Sequence, residues 1–110
     1  MKRVGIVDWD TSHVVQFTMR LNHVGELAED QYIDSDYRVV AGVPGTSEIT
    51  DPDRLAEYYD KLTGWGVEVV DSVEQLVDMV DVVCVESQSG YVHLDRARPF
   101  IEAGIPTYID

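Results

Sequence analysis

Short runs of β-branched residues alternate along this chain with stretches whose apolar residues recur every three to four positions, and that alternation restricts the fold to a small set. Strand signals fall at residues 3–7, 38–43, 67–70, 81–86 and 107–109. The first two are continuous apolar runs, as in strands buried on both faces of a parallel sheet, and the fourth is the most apolar segment of the chain. Helical signals separate them. The first follows Thr11 and Ser12 and aligns Val14, Val15, Phe17, Leu21 and Val24, with residues 26–30 fraying into loop. The second begins at Asp51-Pro52, carries Leu55, Tyr58, Tyr59 and Leu62, and stops at Gly64. The third opens with Ser72-Val73-Glu74-Gln75, a capping-box spacing, and the fourth covers about residues 91–103 before Gly104. The pattern predicts an α/β fold: a doubly wound parallel sheet of about five strands in the order 3-2-1-4-5, with right-handed crossovers and helices on both faces.

At 110 residues the chain has room for one core. Its longest unbroken apolar run is the four residues Val82–Val85, so neither a transmembrane helix nor a signal-peptide core is expected. The single cysteine, Cys84, sits inside that run as a small buried hydrophobe, consistent with a reducing cytoplasm. Eight basic against twenty-one acidic side chains give 8 − 21 = −13, a charge that repels nucleic acid and anionic membrane. Only Lys2 and Lys61 are lysines and thirteen of the acids are aspartates, a balance that fits either a salt-rich cytoplasm or an ordinary solvated acidic surface.

Ligands of such sheets sit beyond the C-terminal strand ends, which directs attention to residues 8–13, 44–50, Asp71 and 86–93. A dinucleotide fingerprint would place glycines in the first of these loops. Here Asp8, Asp10 and His13 replace all three, and two carboxylates stand where a diphosphate wants bare amides. What remains favourable is the helix N-terminus with Thr11, Ser12 and His13. Trp9 either stacks on a ligand ring or plugs the space that glycines would leave. Glu86, at the end of a buried strand, either reaches the mouth of the cleft or pairs with a cation. No metal set is expected from His13, His23 and Cys84, because the cysteine is mid-strand and no ligand spacing repeats.

The loop also supports a different chemistry. Asp8-Trp9-Asp10, with Ser12 two further on, resembles the first motif of haloacid-dehalogenase-like phosphatases. That resemblance implies Mg²⁺-dependent phosphoryl transfer with Asp8 as nucleophile, Asp10 as proton shuttle and Ser87 as the hydroxyl residue. A receiver-like domain would use the same acidic pair with Asp71 as phosphoacceptor and a lysine after its fifth strand, and a phosphatase would need a lysine and a late acidic pair, for which this sequence ends too early. A cofactor-free Rossmann-like binding protein is the third possibility.

The second half of the chain shifts the balance. Asp81-Val-Val-Cys-Val-Glu-Ser87, then Gly90-Tyr-Val-His93, Ala97 and Ile101-Glu-Ala-Gly-Ile-Pro-Thr-Tyr-Ile-Asp110, resembles the Gfo/Idh/MocA oxidoreductases, a family that includes glucose-fructose oxidoreductase and inositol dehydrogenase. Ser87-Gln88 stands for the family's Thr-Pro, His93 for its histidine one residue late, and Asp110 for the glutamate of Glu-Lys-Pro, so that the catalytic lysine would be the next residue. The resemblance covers the whole chain, including a variant Asp-Thr-Ser-His loop at residues 10–13. It implies a Rossmann-like nucleotide-binding domain over residues 1–110, the front part of a longer two-domain enzyme. The cofactor would be NAD or NADP, and hydride would pass between the nicotinamide and a sugar, polyol or related small alcohol. Trp9, Asp10, Thr11, Ser12 and His13 would then adjoin the cofactor, and Ser87, Gln88 and His93 would line its nicotinamide side, with His93 the one catalytic candidate. A second domain would supply substrate contacts and a homo-oligomer interface. Pro44 replaces the acid that usually holds the adenosine ribose; Thr46 and Ser47 could accept a 2′-phosphate, with Arg54 as the nearby cation.

Overall fold

A computed structural model describes residues 1–45 and 50–110, so the Thr46 and Ser47 hydroxyls lie outside the described residues. The strands are β1 (Lys2–Val7), β2 (Tyr37–Val43), β3 (Glu68–Val69), β4 (Val82–Val85) and β5 (Thr107–Ile109). They form one parallel sheet in the order β3-β2-β1-β4-β5, as the alternation predicts. Helices α1 (Ser12–Asn22), α2 (Pro52–Gly64), α3 (Val73–Val77) and α4 (His93–Glu102) cross between them.

Side chains of β1 alternate between two cores. Val4 and Ile6 join Val14 and Val15 of α1 and Tyr58 and Leu62 of α2. Val7 joins Leu76 of α3, Val83 and Val85 of β4, and Ala97 and Phe100 of α4. Helices therefore cover both faces, and the period-2 geometry of a single strand feeds both layers.

Local chemistry sets the helix starts. Thr11 and Asp51 cap α1 and α2 by accepting from the backbone N–H groups of His13 and Asp53, and Pro52 follows at the first position of α2. Ser72 and Gln75 make the reciprocal capping box of α3. Helix α1 stops two residues short of Val24, because His23 takes a left-handed conformation at φ 55°. No helix among the described residues is long and apolar enough to cross a membrane.

Candidate functional site

The site is built where β1, β4 and β5 end on the same edge of the sheet. After Val7 the backbone turns through Asp8, which sits at φ 65°, in the left-handed region that glycine would otherwise occupy. The Asp8 and Trp9 N–H groups donate to the carbonyls of Val43 and Pro44, at 2.8 Å each, tying this turn to the end of β2.

Trp9 folds back beneath the turn. It is 1 % exposed, and its indole Nε1 donates to the Ile6 carbonyl at 3.0 Å. Gly42 of β2 makes the room: a Cβ there would lie 2.6 Å from Trp9 Nε1. Of the two roles open to Trp9, the structure shows the plug; the ring belongs to the core and is not presented for stacking on a ligand.

The carboxylates that replace glycines are turned inward. Asp8 is buried; its Oδ2 accepts from Ser87 Oγ and from Arg96 Nε, the latter at 3.2 Å, while Oδ1 has no hydrogen-bond partner among the described residues. A Cβ on Gly45 would lie 2.1 Å from that Oδ1, and Gly45 itself has φ 66°, so the approach of the β2 loop to Asp8 requires glycine. The Asp10 carboxylate accepts from the Gln88 backbone N–H at 3.2 and 3.3 Å. The Asp10 carbonyl accepts from Gln88 Nε2 at 3.0 Å and Thr50 Oγ1 at 2.6 Å. The loops after β1 and β4 are clasped together by these bonds.

Ser12 and His13 are exposed on the first turn of α1, which holds no acidic residue. His93 Nε2 is 2.7 Å from the Ser87 carbonyl, an acceptor only, so this nitrogen carries the proton and the ring is held by the β4 loop. His13 Nδ1 pairs with the Asp110 carboxylate at the end of β5. Thus Asp10, Thr11, Ser12, His13, Ser87, Gln88 and His93 meet at one edge, as their positions after β1 and β4 predict. Sequence reasoning missed Arg96 as the partner of Asp8. The available signal was its spacing, one helical turn after His93 in the same helix.

Glu86 reaches the mouth of the cleft, the first of its two expected roles. It is 1 % exposed, and neither carboxylate oxygen has a hydrogen-bond donor among the described residues. Burial, followed by the neighbouring Asp110 carboxylate, pushes its pKa up to about 8, while Asp110, facing Glu86 and His13, is held below its usual range. The two carboxyls have no donor between them when both are ionised, and one proton on Glu86 supplies it. Because the folded value lies above the ordinary 4.5, this group's stabilisation is complete below about pH 4.5 and is lost as pH rises through about 8. Asp110 acts with the opposite sign and in a separate window near and below its ordinary 3.8. Urea unfolding is expected to show stability falling between pH 5 and pH 8.5, and the slope to flatten in Glu86→Gln; a wild-type slope retained in the variant would refute the assignment.

Two cavities flank the turn. One, of about 390 Å³, lies among Asp8, the end of β2 at Val43 and Gly45, the start of α3 at Asp71 and Ser72, and Arg96 of α4. The other, of about 240 Å³, lies among Thr11, His13, Glu86, Ser87, Gln88 and Asp110. Asp8 lines the first, and Thr11 and His13 line the second.

No protein-family model matches the chain, and no curated protein matches it in sequence. Solved structures do match in shape. A dehydrogenase (MviM) from Clostridium difficile superposes with a TM-score of 0.67 at 14 % identity, over 99 % of this chain and 30 % of that one. UDP-N-acetylglucosamine 3-dehydrogenase GnnA from Acidithiobacillus ferrooxidans does so in two crystal forms, with TM-scores of 0.63 and 0.61 at 15 % and 16 % identity, over 98 % of this chain and 28 % of that one. At such identities the likeness establishes the Rossmann-like fold, and the chain spans less than a third of the length of these proteins.

Proposed function

We propose that this chain is the NAD-binding domain of an oxidoreductase that passes hydride between a nicotinamide and a sugar, polyol or related small alcohol. The observation that carries the reading is the pair of cavities at the C-terminal strand ends, one against Asp8 and the end of β2, the other against Thr11 and His13 at the start of α1. That arrangement suits an extended ligand with a ring system at each end and a diphosphate in the middle. The three neighbours of matching fold, all described as dehydrogenases, support it, as does the resemblance to the Gfo/Idh/MocA family.

The residues present fit such a cofactor. On sequence grounds Asp8 and Asp10 oppose a diphosphate, but Arg96 and Ser87 engage the first and the Gln88 N–H the second. Thr11, Ser12 and His13, at a helix start whose first turn contains no acidic residue, would hold the diphosphate. Ser87 and Gln88 order the floor of the nicotinamide lobe. His93, held through Nε2 by the Ser87 carbonyl, would take a proton from an alcohol at Nδ1. The bound dinucleotide supplies the hydride chemistry.

The lobe at the end of β2 favours NAD over NADP. Among the described residues its rim carries Asp71, Glu74 and Asp95 against the guanidinium of Arg96, already engaged by Asp8. A ribose diol can donate to carboxylates, whereas a 2′-phosphate would be repelled. Asp8 as a phosphatase nucleophile is a poorer fit, since it is 3 % exposed and paired with Arg96. The reading includes a cytoplasmic setting and a further domain, supplying the lysine of a proton relay, the substrate contacts and a homo-oligomer interface.

Calorimetric titration with NADH and NADPH tests it. Micromolar NADH binding, with NADPH at least about tenfold weaker (1.4 kcal/mol), is the expected result. Equal affinities would remove the cofactor preference, and no binding of either dinucleotide at millimolar concentration would overturn the function.

A further inference from the structure

The cavity between α1, β4 and β5 holds a donor set of which the dinucleotide reading uses only His13. One ligand atom each from His13, Glu86 and Asp110 lies within 4.8 Å of the other two. The sequence gives no such grouping: the histidine is on α1, the glutamate follows β4 and the aspartate follows β5. We propose that His13, Glu86 and Asp110 form a binding site for a first-row divalent metal ion of the zinc or manganese class.

Glu86 is the independent observation. Its carboxylate is almost wholly buried, lines this cavity, and has no hydrogen-bond donor for either oxygen among the described residues. Arg96 of α4 is engaged by Asp8. Two carboxyl groups side by side in a partly dry site call for a proton or a cation between them, and a divalent ion that displaces the proton answers both. The imidazole selects among ions: a nitrogen ligand with two carboxylates suits Zn²⁺ or Mn²⁺ better than Mg²⁺ or Ca²⁺, which prefer all-oxygen shells.

The geometry allows closure around an ion. Metal–ligand contacts of about 2.0–2.2 Å place ligand atoms no more than about 4.4 Å apart, so the observed spread needs only a small rotation. Glu86 is held by its burial, whereas the His13 and Asp110 side chains, 56 % and 28 % exposed, are placed to make that adjustment. The cavity of about 240 Å³ leaves space for water or a substrate oxygen to complete the coordination. The positive end of the α1 dipole opposes a cation here, a small effect beside two carboxylates. His23, bonded to the Ile33 carbonyl in a different part of the molecule, does not share the site.

The test is calorimetric titration of the metal-free protein with Zn²⁺, Mn²⁺ and Mg²⁺ at pH 7 in a non-chelating buffer. One site per chain is expected, with Zn²⁺ tightest and Mg²⁺ weakest. Glu86→Gln and Asp110→Asn should each weaken Zn²⁺ at least tenfold with an unchanged circular dichroism spectrum, and His23→Gln should leave it unchanged. No saturable Zn²⁺ binding, Zn²⁺ affinity retained in both site variants, or loss on His23→Gln would each overturn the proposal. Asp110→Asn, on the exposed side chain, keeps the test decisive if Glu86→Gln fails to fold. NADH binding is measured on the same metal-free protein, so failure of one result is distinguishable from failure of the other.

Discussion

Gly42→Ala is expected to destabilise the protein by at least about 3 kcal/mol, a large share of the roughly 5–15 kcal/mol that holds a domain of this size together. A Cβ at this position would lie 2.4 Å from the Ile6 carbonyl oxygen, 2.6 Å from Trp9 Nε1 and 2.8 Å from Trp9 Cζ2. The first is backbone of the adjacent strand and the others belong to a ring that is 1 % exposed, so neither has room to give. The same carbonyl accepts the indole N–H, and displacing the ring breaks that bond as well. Trp9→Ala is expected to cost about 3–5 kcal/mol through the cavity it leaves. Combining the two should cost less than the sum, because removing the indole relieves part of the clash. Urea unfolding of the four proteins measures this directly; a Gly42→Ala stability within 0.5 kcal/mol of wild type would show that the indole does not occupy this space.

Arg96→Gln is expected to abolish useful dinucleotide binding while leaving a folded protein. The guanidinium donates to Asp8 Oδ2 from the helix that follows β4, and Asp8 is buried against the cavity at the end of β2. Removing the cation leaves the Ser87 hydroxyl as the one remaining donor to that carboxylate among the described residues. The stability loss should be about 1–3 kcal/mol, moderated because the Arg96 side chain is 39 % exposed and water can partly replace it. The uncompensated negative charge then faces an incoming diphosphate, and a roughly hundredfold loss in NADH affinity, about 2.7 kcal/mol, is expected. Asp8→Asn in the Arg96→Gln background should recover most of it by removing the charge. Calorimetry on the single and double variants separates the electrostatic account from a general loss of structure; failure of Asp8→Asn to restore any affinity would refute it.

Much of the architecture is legible along the chain. The strand order, the Thr11, Asp51 and Ser72 caps and the sharing of β1 between two cores all follow from residue period and from side chains within four positions of the backbone they serve. The end of α1 is less legible, because His23 adopts the left-handed turn more usual for glycine. The β3 strand shortens to two residues at the sheet edge, where a single neighbour supplies its pairing.

The chemistry of the loop after β1 was not legible in the same way. Asp8 and Asp10 stand in sequence as two charges displacing glycines. In the fold, Asp8 meets Ser87 and Arg96, 79 and 88 residues away, and His13 meets Asp110, 97 residues away. Period, capping and turn chemistry act over a few bonds, so the order of residues along the chain is enough to specify the sheet, its helices and the edge where a ligand belongs. Whether a carboxylate at that edge repels a diphosphate, answers an arginine or faces a cation depends on its neighbours across the sheet, and those are set by the parallel crossovers that bring the ends of β1, β4 and β5 together.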